Sequence, residues 1–118
     1  MALVTHTVKD WGKYAFTYIW SDILLAGTAD AISPLEYTQA AVQVTGTANG
    51  GTITIQGSID GVNYVTLHDI SNNVLSFAAA GGPTNILENV PYIKPVLSSG
   101  GASTDFVVSL YAKSLARG

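Results

Sequence analysis

This sequence predicts an all-β fold, an antiparallel β-sandwich or jelly roll of about seven to nine short strands. Three observations carry that expectation. Apolar and polar residues alternate with the two-residue period of an extended chain. Clusters of glycine, asparagine and proline interrupt the alternation at spacings of roughly 8 to 14 residues, as turns between short strands do. Twelve glycines and four prolines also leave no stretch in which a helical apolar stripe persists over several turns.

The elements follow in chain order. Tyr14, Phe16, Tyr18 and Trp20 share one parity, with Ala15, Thr17 and Ile19 on the other, so an extended segment places four aromatic rings on one face. Residues 39–45 alternate through Ala40, Val42 and Val44, and residues 52–56 through Ile53 and Ile55; the GTANGG run between them tolerates positive φ, so the two segments read as a β-hairpin. A second hairpin is expected between 52–59 and 62–68, closed by Asp60-Gly61 in a type I′ turn. Asn72-Asn73 then precedes a strand over 74–77, AAAGGP at 78–83 makes a loop, and Ile86-Leu87 forms a short strand. Pro95 removes a ladder donor from the strand over 92–97, which places that strand at an edge or gives it a bulge. In the last strand, 105–113, Phe106, Val108, Leu110 and Ala112 share a face.

At 118 residues and 47% hydrophobic content the chain is the size of one domain with its own core. The expected division is an N-terminal arm over 1–13, a sandwich over 14–113 and a short tail over 114–118. There is no cysteine, which excludes a disulfide framework, a zinc knuckle and a thiol nucleophile. His6 and His68 stand in no metal-binding spacing, and no serine sits in a GxSxG elbow. His68 reads as a surface residue at a strand end. The acids Asp22, Asp30, Glu36, Asp60, Asp69, Glu88 and Asp105 fall in or beside predicted turns, or at strand starts, where water satisfies them. The glycine pairs at 50–51, 81–82 and 100–101 open no helix and precede no P-loop lysine, so they read as hairpin loops and not as phosphate cradles. No enzyme, metal or cofactor is expected.

Charge points to the class of partner. A net charge of −3 gives no general attraction to nucleic acid or to an anionic membrane, and no apolar run approaches the roughly 20 residues of a membrane helix. Only 11% of residues are charged, and none lies between Tyr37 and Ile59 or between Ile70 and Leu87. Long uncharged strands are safe when another chain covers them, although threonine-rich outer faces are also simply wettable. Residues 1–13 hold Lys9 and Lys13 against Asp10, whereas residues 14–113 hold two lysines against seven acids. Lys9, Trp11, Lys13 and Tyr14 are therefore the candidate protein interface, cations and aromatic rings being common interface anchors. An ordinary first strand whose tryptophans cap the core is the other reading of the same residues.

Three segments carry a resemblance: GTITIQGSIDGVNYVTL at 51–67, NVPYIKP at 89–95 and TDFVVSL at 104–110. In this order they resemble small structural proteins of tailed bacteriophages, over roughly residues 42–113. The resemblance implies a virion component, a capsid decoration (cement) protein first and a tail, fibre or neck part next, built as a β-sandwich and often trimeric. It implies partners of two kinds, further copies of itself and the major capsid protein. The 58–67 string also looks like the strand pair of galactose-binding-like sandwiches, which implies a glycan-binding module as the alternative.

Overall fold

The computed structural model describes residues 3–4, 6–12, 15–24, 28–32, 39–87 and 90–113. Eleven strands are described: β1 (Leu3–Val4), β2 (Thr7–Gly12), β3 (Ala15–Leu24), β4 (Thr28–Ala29), β5 (Gln39–Thr47), β6 (Gly51–Ser58), β7 (Val65–Thr66), β8 (Ser76–Phe77), β9 (Gly81–Asn85), β10 (Tyr92–Ser99) and β11 (Asp105–Lys113). Nine of them form two antiparallel sheets. One has the order β2-β3-β11-β5-β9, and in the other β6 pairs with β10 along one edge and with β7 and β8 along its second edge. The two-residue strands β1 and β4 pair parallel, outside both sheets. The all-β sandwich expected from the alternation is the fold observed.

The core lies between the sheets because each strand turns its apolar parity inward. Trp20, Val108 and Val44 form one row across β3, β11 and β5, and Tyr18, Leu110 and Val42 form the next. From the facing sheet come Ile53, Ile55 and Ile93, all at most 1% exposed, joined by Leu67 and Leu75. Phe106, Val108, Leu110 and Ala112 are all buried, as their shared parity predicts. Along β3 the parity changes once. A bulge between the Val108–Trp20 and Phe106–Ile23 pairs lets Trp20 and Ile23 both point inward, three residues apart.

The expected hairpin between 39–45 and 52–56 is corrected by the structure. β5 pairs with β11 and β9, whereas β6 pairs with β10, so residues 48–50 carry the chain from one sheet to the other. The turn itself is tight: Asn49 and Gly50 both have positive φ, 43° and 85°, and the Gly51 N–H donates to the Ala48 carbonyl at 2.8 Å. What the local signal does not contain is the destination of the strands. β10 and β11 make a matching crossover at 100–104, and the two crossovers lock together through Thr104, which is 2% exposed. Its Oγ1 donates to the Ala48 carbonyl at 2.9 Å and accepts from the Gly101 N–H at 2.8 Å. Gly50-Gly51 and Gly100-Gly101 thus serve crossovers and not hairpins. Gly81-Gly82 belongs to β9, which also contains Pro83 and lies at the edge of its sheet, where a missing ladder donor is tolerated. The expected loop over 78–83 therefore ends in a strand, and Ile86 makes only a single bridge, to Asp69. Pro95 sits in β10, an edge strand as its missing donor requires.

The second hairpin is present, with a wider turn than expected. Gln56 pairs with Thr66 and Gly57 with Val65, which leaves residues 58–64 as the loop. Gly61 has φ of 79°, but Asp60 is not in the positive-φ region that a type I′ turn requires of it. The Asp60 side chain organises the loop instead. Its carboxylate accepts from the Ser58 hydroxyl, the Val62 and Asn63 N–H groups and the Asn63 amide, all at 2.8–2.9 Å. Beyond β7 the chain leaves the sheet as a small excursion over 67–75 and returns as β8. Leu67 N–H donates to Ile55, Leu75 N–H to Leu67, and Ile55 N–H to Leu75, closing that excursion on β6.

Candidate interaction surfaces

The residues expected to form a protein interface fall at the edge of the five-stranded sheet. Lys9 is exposed in β2, opposite Thr17 of β3, and Trp11 also lies in β2; Lys13 and Tyr14 lie outside the described residues. Within the segment expected as an arm, residues 7–12 pair along β3 and residues 3–4 pair with β4.

Register places Lys9 at the end of a longer surface. Strand partners share a face, so Lys9, Thr17, Tyr111, Ala41 and Asn85 form one row across the outside of this sheet. Thr7, Ile19, Ser109 and Gln43 form the next, and Val107 with Thr45 a third. Tyr111 is 38% exposed, and Gln43 and Thr45 are exposed. Between Lys9 at the sheet edge and Asp105 at the end of β11, these rows carry no charge. The four-stranded sheet has a similar outer face, with Lys94, Gln56 and Thr66 in one row and Val96, Thr54 and Ser76 in another. There the Lys94 ammonium stands over the Tyr64 ring, 4.2 Å from its centre. The uncharged run from Tyr37 to Ile59 supplies a strand to each outer face because β5 and β6 part at the crossover.

The chemistry-bearing residues come together at one place that the sequence does not reveal. His6 Nδ1 lies 2.8 Å from Asp30 Oδ2, and the His6 N–H donates to Asp30 Oδ1 at 3.1 Å. The indole N–H of Trp20, a fully buried residue, donates to the same Oδ1 at 2.8 Å and to the Asp30 carbonyl at 3.0 Å. The His6 ring stands edge-on to Tyr18, with centroids 5.7 Å apart. Asp30 is therefore not a merely solvated turn residue; it joins the N-terminal segment to the core. A histidine and an aspartate are two parts of a hydrolytic triad, but the third group held here is an indole, which only donates. His6 and Asp30 are 24 residues apart and meet beside the β1–β4 pairing, so no spacing rule exposes the pair.

Two other acids organise loops. The N–H groups of Asn63 and then Val62, with the Ser58 hydroxyl and the Asn63 amide, hold the Asp60 carboxyl well below the usual carboxylate range. Such a depressed group contributes stability that is complete at neutral pH and is lost as the pH falls below the ordinary carboxylate range. Asp69 is lowered too, first by the Asn73 N–H, within the excursion where His68 bridges to Val74. Among the described residues no group of three histidine or acidic side chains is placed to hold a metal ion.

The 58–64 loop gives a direct test of its geometry. A side chain at Gly61 would stand at φ of 79° with its Cβ 3.3 Å from the Tyr92 ring. Gly61→Val is expected to cost about 1–2 kcal/mol in urea unfolding, since a β-branched residue is forced into the left-handed region. Unchanged stability would show that the loop does not need that conformation.

No family model, no curated protein and no solved structure matches this chain.

Proposed function

We propose that this protein is a structural component of a tailed-phage virion, a capsid decoration protein that binds the assembled shell and stabilises it without turnover. The observation that carries the reading is the outer face of the five-stranded sheet. Its outward rows combine the half-buried Ile19 and Val107 and the exposed Tyr111 with threonine, serine and glutamine. Charge enters this face at its margins, at Lys9 on the edge strand and at Asp105 and Lys113 at the two ends of β11, which is the composition of an interface centre with a polar rim. A broad strand face suits a partner that presents an extended, repeated surface, and self-association into a trimer would multiply each weak contact by avidity. The resemblance of the 51–67, 89–95 and 104–110 segments to phage structural proteins supports the same role.

The test is co-sedimentation with assembled capsid shells of the parent virion. Gln43→Glu combined with Thr45→Glu places two like charges on exposed positions of β5, where surface substitutions are tolerated by the fold. The variant is expected to keep its melting temperature and to lose at least about tenfold in shell affinity, the loss that follows from burying unpaired charge. Wild-type protein that fails to co-sediment, or a variant that binds equally well, would overturn the reading.

A further inference from the structure

We propose that Asn49-Gly50, in the turn between β5 and β6, is a self-modification site at which the folded chain converts its own asparagine, through a cyclic imide, to aspartate and isoaspartate. The inference is independent of the proposed role in a virion. The reaction brings together an amide side chain, the backbone nitrogen that follows it, free to attack, and room for the five-membered ring that joins them. Glycine is the following residue that crowds this ring least. Of the six asparagines, Asn49 alone precedes a glycine.

The structure leaves this pair open. Asn49 and Gly50 are both exposed, and a Cβ placed on Gly50 would meet nothing within 4 Å. Among the described residues no acceptor takes the Gly50 N–H and no hydrogen bond holds the Asn49 side-chain amide, which rests against Gly101. Asn49 also stands at φ of 43°, a conformation that costs energy for a residue with a side chain, so the turn gives up little by rearranging. The other candidates are closed. The Asn73 N–H, which follows Asn72, donates to Asp69 Oδ1 at 2.9 Å, and the Ile86 N–H, which follows Asn85, donates to the Ala40 carbonyl at 2.9 Å. Asn63, Asn73 and Asn89 precede tyrosine or valine, whose side chains crowd the ring. Asp60-Gly61 could close the same imide by losing water. There the Gly61 N–H donates to Ser58 Oγ at 2.9 Å, and the donors gathered on the Asp60 carboxylate keep it ionised, the form that a nitrogen does not attack.

The step balances with water as its one co-reactant. Water or hydroxide removes the Gly50 amide proton, the nitrogen bonds to Asn49 Cγ, and the Cγ–Nδ2 bond breaks as the proton passes to the departing nitrogen, which leaves as ammonia. One water then opens the imide at either carbonyl. Opening at Cγ gives aspartate, whereas opening at the main-chain carbonyl gives isoaspartate, whose backbone runs through Cγ and is one atom longer. Both products add a negative charge. The extra atom falls inside the turn that the Gly51 N–H closes on the Ala48 carbonyl at 2.8 Å, and Thr104 Oγ1 grips that same carbonyl at 2.9 Å. Isoaspartate at this position therefore loosens the lock between the two crossovers.

The test incubates the folded wild-type protein at neutral and mildly alkaline pH beside Asn49→Gln, with the urea-unfolded chain as the reference for an unprotected site. Peptide mass mapping is expected to show a gain of about 1 Da at residue 49. The gain should grow faster as the pH rises, and an isoaspartyl methyltransferase should label the isoaspartate fraction. Asn49→Gln, which would have to close a larger ring, is expected to lose the product. In the converted protein the Gly51 amide is expected to exchange its hydrogen severalfold faster than before conversion. An Asn49 that stays intact in the folded chain while the unfolded chain reacts would overturn the site, and so would conversion led by another asparagine or by Asp60. Unchanged exchange at Gly51 would overturn the loosening.

Discussion

Gly46→Ala is expected to destabilise the protein by about 3 kcal/mol or more, and Gly50→Ala, only four residues away, by about 1 kcal/mol. Both glycines have positive φ, 110° at Gly46 and 85° at Gly50. Their surroundings differ. A Cβ at Gly50 meets nothing within 4 Å, so only the backbone conformation is disfavoured. At Gly46 the Cβ would fall 2.2 Å from the Asp105 carbonyl oxygen and 3.1 Å from the Phe106 Cα, atoms of the neighbouring strand that cannot swing aside. Gly46 pairs with Phe106, a fully buried residue, so opening the strands to admit a methyl group would pull that ring out of the core. Urea unfolding of the two variants isolates the close approach from the φ preference. Equal losses would mean that β5 and β11 do not come together as tightly at this point as the Gly46–Phe106 pairing requires.

That close approach is also where the sequence stops being readable. The alternation of Ala40, Val42 and Val44 and of Ile53 and Ile55 correctly indicates two strands with one buried face each, and Asn49-Gly50 correctly indicates a tight turn between them. Whether two such strands lie side by side or face each other across the core depends on which other strands are available as neighbours. Here β10 and β11 supply them, 34 to 74 residues later in the chain, and pair with β6 and β5 along eight and nine positions respectively. A turn of few residues serves both outcomes, so composition does not distinguish a hairpin from a crossover. The Asp60-Gly61 turn failed differently. Its dipeptide has a strong preference for a two-residue turn, but the Asp60 carboxylate finds better use in bonding the Val62 and Asn63 N–H groups, and the loop widens around it.

Candidate surfaces were legible in part. The absence of charge from residues 37–59 is visible without any structure; only the register shows that these residues divide between two outer faces and that Lys9 borders one of them. Ile59 and Val62, expected in the strands of the second hairpin, are exposed because the loop over 58–64 takes them out of the sheet, where alternation has no meaning. The Asp30 cluster was invisible altogether. Nothing local distinguishes an aspartate in a turn from one that receives an indole N–H and a backbone N–H from distant parts of the chain.

Asp30→Ala is accordingly expected to cost about 2–3 kcal/mol, the range found when a buried donor and a charge-assisted bond lose their acceptor together. The indole N–H of Trp20 would retain only the Asp30 carbonyl, and both the N–H and the ring of His6 would lose their partner. The effect should be uneven across the molecule. Trp20 is packed among Ile23, Val44 and Val108, so the core is expected to hold at moderate temperature, while the N-terminal segment, attached through two residue pairs of β1 and β4 and through His6, comes loose first. Asp30→Asn keeps one acceptor oxygen in place and should lose only about half as much, because the bond to the indole survives without its charge. Hydrogen exchange distinguishes this from a general loss of stability: in Asp30→Ala the amides of Leu3, Val4 and His6 should exchange faster at concentrations of denaturant too low to affect Val44 or Val108. Uniform acceleration across both regions would show that Asp30 supports the sandwich as a whole, and unchanged exchange at residues 3–6 would show that the N-terminal segment is held by the strand pairing alone.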